Sequence, residues 1–380
     1  MLVPIHISDM SSGGNFELFF KSAQRFIVDL NSSRWLLVVS SMKDVQHSAV
    51  QSLRKYACAW REPLLYSSKL TKYTSACSSH FRYRSVESIT VVSLEGLVLS
   101  SNSTTWNLLQ NYTLKYQKGS FVELKGYLAA TLVDTKYFWR LDCDSVFVRP
   151  VHMGQYLSSL SAGTVVVYDP LKSCKTGWDY VTAQSKRQYE KWHTRQVIGD
   201  KFLKTKDVAV YGFVAFGAMW LYETAVWWRF LDYIKQLHGS YNNQVLWINR
   251  TLFTNCHPHC TVNFSDMFWR YVFSFENLSN NHYLRVSSNA LLRATHDQPF
   301  AQHCPDSLHV DPMLSNPKAK NQLMTIYRAH QTLRSWTMQG ACRNSVGLAA
   351  NLAFLNQTEQ IFLVTVAGGC ATALRKFLKM

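Results

Sequence analysis

The sequence predicts an α/β fold with a mixed, mainly parallel sheet flanked by helices. Three observations carry this expectation. Short β-branched or apolar runs alternate with segments of helical periodicity through the first 150 residues. One of those runs ends in two aspartates two positions apart, where a parallel sheet would present its carboxyl edge. A composition of 47% hydrophobic and 14% aromatic residues over 380 positions supplies one large core or two modest ones, which sets the chain apart from disordered sequences.

Val3 to Ile7 is an apolar run followed by Ser8, Asp9 and a Ser/Gly stretch, the pattern of a strand leaving a sheet into a loop. Asn15 to Leu30 places Phe16, Phe19, Phe20, Phe26 and Ile27 on or near one helical face. Trp35 to Ser40 reads as a strand, Lys43 to Tyr56 as a helix, and Ser88 to Leu94 as a buried strand, because its residues are β-branched. Such alternation builds right-handed βαβ units and a largely parallel sheet.

The most informative stretch is Gly119 to Pro150, GSFVELKGYLAATLVDTKYFWRLDCDSVFVRP. Ser120 with Glu123 forms a capping-box pattern that starts a helix running to about Val133. Tyr137 to Leu141 is a strand, Asp142-Cys143-Asp144 stands at its end, and Val146 to Val148 is extended again until Pro150 stops it. Paired carboxylates suit a hard divalent cation such as Mn²⁺ or Mg²⁺, with phosphate oxygens and water completing its shell.

Helix, strand, hydrophobic-Asp-x-Asp, short strand and proline resemble the central signature of GT-A type, Rossmann-like glycosyltransferases. The wording KGYLAATLVDTKYFWRLDCDSVFVRP is similar to a poorly characterised, mostly microbial GT-A-like group. The resemblance is strong over Lys118 to Pro150 and thin elsewhere. It implies a nucleotide-sugar donor, with Asp144 binding metal, Asp142 holding metal or the donor ribose, and Lys125 facing the donor phosphates. Cys143 fills the variable middle position.

Tyr211 to Leu221 looks like a second landmark of these enzymes, a strand and turn under the acceptor preceding a helix over Glu223 to Leu237. Gly217 there either lets the backbone approach a sugar or sits in a core strand. Trp220, Trp227 and Trp228 either stack on sugars or belong to a core. Asn242 to Leu246 resembles an acidic-Gln-x-Leu segment in which Asn243 replaces the acid, so Gln244 is expected to position a sugar, because an amide cannot act as a base. Glu276 is then the candidate base, with a surface glutamate as its alternative. His296, with Asp297 beside it, is the candidate late metal ligand, and His303 competes for that role. Cys256-His257-Pro258-His259-Cys260 offers soft ligands for a structural zinc, or a disulfide or two reduced cysteines.

Lysine and arginine number 40 against 24 acidic residues, a formal charge of +16. That balance reads either as a basic solvated surface or as a preference for nucleotides, phosphates, acidic glycans or anionic membrane surfaces. No zinc-finger, helix-turn-helix or RNA-binding signature accompanies it, so no nucleic-acid partner is expected. Sequons begin at Asn31, Asn102, Asn111, Asn249, Asn263, Asn277 and Asn356, against about three expected by chance, and lean toward a Golgi-like secretory lumen, with the cytoplasm as the alternative. Nine cysteines neither demand nor exclude disulfides. The N-terminal residues lack the pattern of a signal or anchor, and Ile361 to Leu374, shorter than the ~20 residues of a span, reads as a buried or peripheral helix.

The reading is a GT-A domain over residues 1–303 and a C-terminal extension over 304–380. The chain is expected to transfer a sugar from a nucleotide-sugar donor to a hydroxyl of a glycan, protein or lipid acceptor. The alternatives are a catalytically inactive GT-A-like sugar-binding protein and a nucleotidyltransferase.

Overall fold

In the N-terminal half, β-branched and aromatic runs become strands and the amphipathic segments become the helices that cover them. The computed structural model describes residues 1–10, 14–63, 70–74, 85–99, 125–155, 165–168, 202–204, 220–239, 283–286, 335–339, 362–367 and 370–380, with isolated positions at 267–276 and 349–359. The chain runs β1 (Leu2–Pro4), α1 (Asn15–Phe26), β2 (Arg34–Val39), α2 (Met42–Val45), α3 (Ser48–Gln51), β3 (Ala57–Pro63), β4 (Leu70–Thr74), β5 (Val86–Ser93) and α4 (Leu94–Leu99). After helical residues 125–129 come β6 (Tyr137–Arg140), β7 (Ser145–Phe147), β8 (Val165–Tyr168), β9 (Trp220–Glu223), α5 (Thr224–His238), β10 (Tyr283–Val286), β11 (Ser335–Gln339), β12 (Leu363–Ala367) and α6 (Cys370–Leu378).

The main sheet has seven strands in the order β4-β3-β5-β2-β1-β6-β9. Its five central strands are parallel, from β3 through β5, β2 and β1 to β6, and antiparallel β4 and β9 flank them. This is the expected mixed, mainly parallel Rossmann-like α/β sheet. Strands β2 to β5 all lie on one side of β1, whereas β6 and β9 lie on the other. The direction in which the sheet grows therefore reverses between β1 and β6, and such a switch point opens a crevice at the carboxyl ends of the strands.

Both faces of the sheet are covered. On one, α1 buries Phe16, Phe19 and Phe20 against Trp35, Trp139 and Phe147. Trp35 sits 5.4 Å from Phe19 and 5.2 Å from Phe20, ring centroid to centroid. Full burial of each such side chain stabilises the fold by about 1.5–3 kcal/mol. On the other face Phe138, one residue from Trp139 and so on the opposite side of the strand, packs on Tyr222 and Trp227. Trp227, Phe230 and Phe268 complete that layer, so Trp227 is a core residue, while Trp228 is 46% exposed.

Two expectations are corrected. The predicted Lys43–Tyr56 helix is broken into α2, α3 and a 3-10 turn over Ser52–Tyr56. Ser41 and Asp44 form a reciprocal capping box, and His47 caps again by accepting from the Ala49 amide, so the chain restarts instead of continuing. Ile361–Leu374 is a strand and then a helix: Val364, Thr365 and Val366 favour extended structure, and Gly368-Gly369 separates them from α6. The described residues 362–380 pack onto the same core. Among them β12 pairs antiparallel with β7, Phe362 and Leu363 join the α1 core, and Arg375 reaches the Gly14 carbonyl and Glu17 of α1.

Candidate functional site

The Asp142-Cys143-Asp144 turn is held from both sides. Before it, β6 is fixed in the main sheet, and the Leu141 amide donates to the Leu2 carbonyl at 2.9 Å. Within it, the Ser145 amide donates to the Asp142 carbonyl at 3.0 Å. After it, β7 pairs with β12 and the Phe147 amide donates to Ser22 Oγ of α1 at 2.9 Å. The turn thus stands at the carboxyl end of β6, beside the loop that follows β1, on the switch-point crevice.

Charge gathers there. Asp9, in the 3-10 turn after β1, accepts a hydrogen bond from Cys143 Sγ at 3.3 Å. Arg140 is 3% exposed and reaches Asp142 Oδ1 at 3.4 Å. Asp142 is enclosed by protein, yet 34% of its side-chain surface remains open, the combination expected of a group lining a concavity. Enclosure pushes its carboxyl upward, and the Arg140 guanidinium opposes that shift. Asp144 is pushed up to about 7, first by burial and then by the Asp142 charge, with a smaller contribution from Asp9. Its Oδ1 is buried without a hydrogen-bond partner. Burial also raises the Cys143 thiol strongly, and the neighbouring aspartates add to this.

A buried carboxylate oxygen with no donor costs about 1–3 kcal/mol or more. Two carboxylates meeting in a crevice repel each other unless a cation or a proton intervenes. Oxygen donors of this kind fit Mn²⁺ or Mg²⁺, which take one or two protein carboxylates and complete their shells from phosphate and water. Among the described residues, no group of three or more His, Cys, Asp or Glu is arranged to hold a metal.

Lys125, expected to face donor phosphates, turns inward instead. It is 1% exposed and its Nζ donates to the Ile5 carbonyl at 2.6 Å, with burial lowering its pKa to about 8. Position 125 points under the β1 loop, where the long side chain braces the backbone from which Asp9 projects. Glu276 receives a two-pronged contact from Arg229 at 2.9 and 2.8 Å and a bond from the Tyr271 hydroxyl at 3.0 Å. The hydrogen bond from Arg229 holds it below the usual carboxylate range, which makes it a weak proton acceptor. Gly217, Gln244, His296, His303 and the Cys256–Cys260 segment lie outside the described residues. Sequence reasoning missed the roles of Asp9 and Arg140. The strand leaving into the Ser8-Asp9 loop was a usable signal for the first, and a charge at an inward position of β6 for the second.

Fold and site together define a Rossmann-like α/β protein whose switch-point crevice carries a paired-carboxylate turn. No protein-family model and no curated protein matches the chain. Among solved structures it is similar to mouse xyloside xylosyltransferase 1 in its apo form, at 8% identity and a TM-score of 0.31, over 76% of this chain and 84% of that one. A likeness of that size establishes neither family nor activity. Among the described residues, no helix is long and apolar enough to cross a membrane.

Proposed function

We propose that the chain is a metal-dependent glycosyltransferase of the GT-A type that moves a sugar from a nucleotide-sugar donor to a hydroxyl of a glycan, protein or lipid. The observation that carries this reading is the buried, unpartnered Asp144 Oδ1 beside Asp142 at the β1/β6 switch point. A nucleotide sugar leaves behind a diphosphate, and bound Mn²⁺ or Mg²⁺ would neutralise the charge that develops on it. Asp144 supplies the direct carboxylate ligand. Asp142 supplies a second oxygen or accepts from the donor ribose, and the open third of its side chain is the surface through which it does so. The walls of β6, β7 and the β1 loop hold both groups in place before the donor arrives, so little reorganisation is needed at the moment of reaction.

Features elsewhere in the chain bear on the compartment. Cys58 is disulfide-bonded, and the two sequon asparagines among the described residues, Asn31 and Asn356, are exposed. Both features favour a secretory lumen, and the +16 charge favours contact with anionic membrane surfaces there.

The engagement of Glu276 by Arg229 favours a second reading, a GT-A-like sugar-binding protein that does not turn over. Incubation with a panel of nucleotide sugars, Mn²⁺ and simple sugar acceptors separates the two. Release of nucleoside diphosphate with one donor supports the transferase. Metal-dependent binding without release supports the binding protein, and neither binding nor release removes both.

A further inference from the structure

Beneath the aspartate turn lies a buried charge that the sequence motif does not include. Arg140 is the last residue of β6. It is 3% exposed and lies within ion-pair reach of Asp142 at 3.4 Å. Burying a guanidinium costs several kcal/mol unless nearby charges repay it, so its position calls for an explanation. On the neighbouring helical residues 125–129 a glycine stands where the side chain passes. A Cβ added at Gly126 would stand 2.6 Å from Arg140 Nε and 2.9 Å from its Cδ. Those atoms lie in the middle of the side chain, so any larger residue at 126 must displace the whole guanidinium.

We propose that Arg140, seated against Gly126, is a positioning residue for the cation-diphosphate site: it holds the Asp142 carboxylate aimed at the crevice. The proposal rests on the glycosyltransferase reading and deepens it. The 3.4 Å separation is long for a hydrogen bond, so the guanidinium fixes the carboxylate by charge while leaving its oxygens able to accept from another partner. A lysine keeps the charge, whereas glutamine removes the charge and keeps most of the length.

The test is titration of Mn²⁺ into the full chain with UDP or GDP present, alongside Mn²⁺-dependent release of nucleoside diphosphate from whichever donor turns over. Arg140→Gln and Gly126→Ala should each raise the Mn²⁺ concentration needed for half-maximal binding and turnover by about tenfold or more, with the rate at saturating Mn²⁺ recovering to within a few-fold. Arg140→Lys should restore binding to within about threefold of wild type. That split between metal affinity and saturated rate, together with rescue by lysine, would not arise from a purely structural role. If Arg140→Gln does not fold, Gly126→Ala decides, because it moves the guanidinium without removing it. A folded Gly126→Ala or Arg140→Gln protein with the wild-type Mn²⁺ requirement overturns the proposal and leaves the transferase reading standing. Absence of Mn²⁺-dependent nucleotide binding in the wild type overturns both.

Discussion

Replacing Asp144 with asparagine should make the metal-free protein more stable at alkaline pH while disabling its site. The carboxyl moves from 3.8 to about 7 on folding, chiefly through burial and then the Asp142 charge. At ~1.4 kcal/mol for each tenfold change in acidity, that displacement has a ceiling of about 4 kcal/mol. Asp142 shares the interaction and water reaches its open side, so about 1–2 kcal/mol is the realistic share for Asp144. Folded chains hold this proton more tightly than unfolded ones. The stabilisation is therefore complete below about pH 4, shrinks as pH rises, and is gone above about 7. Asparagine has no charge to bury and can donate to Asp142, so Asp144→Asn should gain roughly 1–2 kcal/mol, a few degrees in Tm, at pH 8. Near pH 4.5 the gain should vanish. Thermal unfolding in EDTA at the two pH values measures this. A variant no more stable than wild type at pH 8, or equally stabilised at both pH values, would refute the reasoning that the turn stores unfavourable charge.

Trp227→Ala should cost about 3–5 kcal/mol in urea unfolding, because Trp227 is 2% exposed and touches Phe138, Tyr222, Phe230 and Phe268; a loss below 1 kcal/mol would argue against that aromatic layer. Removing residues 362–380 takes away the partner strand of β7 and the buried side chains of Phe362, Leu363, Val364, Leu374 and Leu378, so the shortened chain should lose its cooperative unfolding transition, as circular dichroism on heating would show. Expression in a secretory host should place glycans on Asn31 and Asn356, visible as a mass loss after enzymatic deglycosylation, and unmodified protein from such a host would count against the lumen.

The sheet was legible where local pattern and burial agree. Strand β5, with Ile89, Thr90, Val91 and Val92 in succession, is buried on both faces and says so in its own residues. The paired aspartates were legible for the same reason, since a strand that ends in charge must end at an edge. Long-range pairing was not. Nothing in Leu363 to Ala367 announces β7 as its partner, because antiparallel pairing of distant segments is decided by tertiary packing. Lys125 reads in sequence as a cation facing donor phosphates, and only the fold reveals the Ile5 carbonyl that receives it. The Arg140–Gly126 pair was hidden likewise, since one glycine beside one arginine has no periodicity to betray it.

The central claim is that Asp144 acts through a divalent cation on a nucleoside diphosphate. Isothermal titration of UDP and GDP into wild type and Asp144→Asn, each with and without Mn²⁺, tests it most directly. Wild type should bind one of the two only when Mn²⁺ is present, and Asp144→Asn should weaken that binding by roughly a hundredfold or more, the scale of losing one preorganised electrostatic group. Equal binding by the two proteins in the presence of Mn²⁺ would show that the carboxylate pair is a structural turn and would contradict the account.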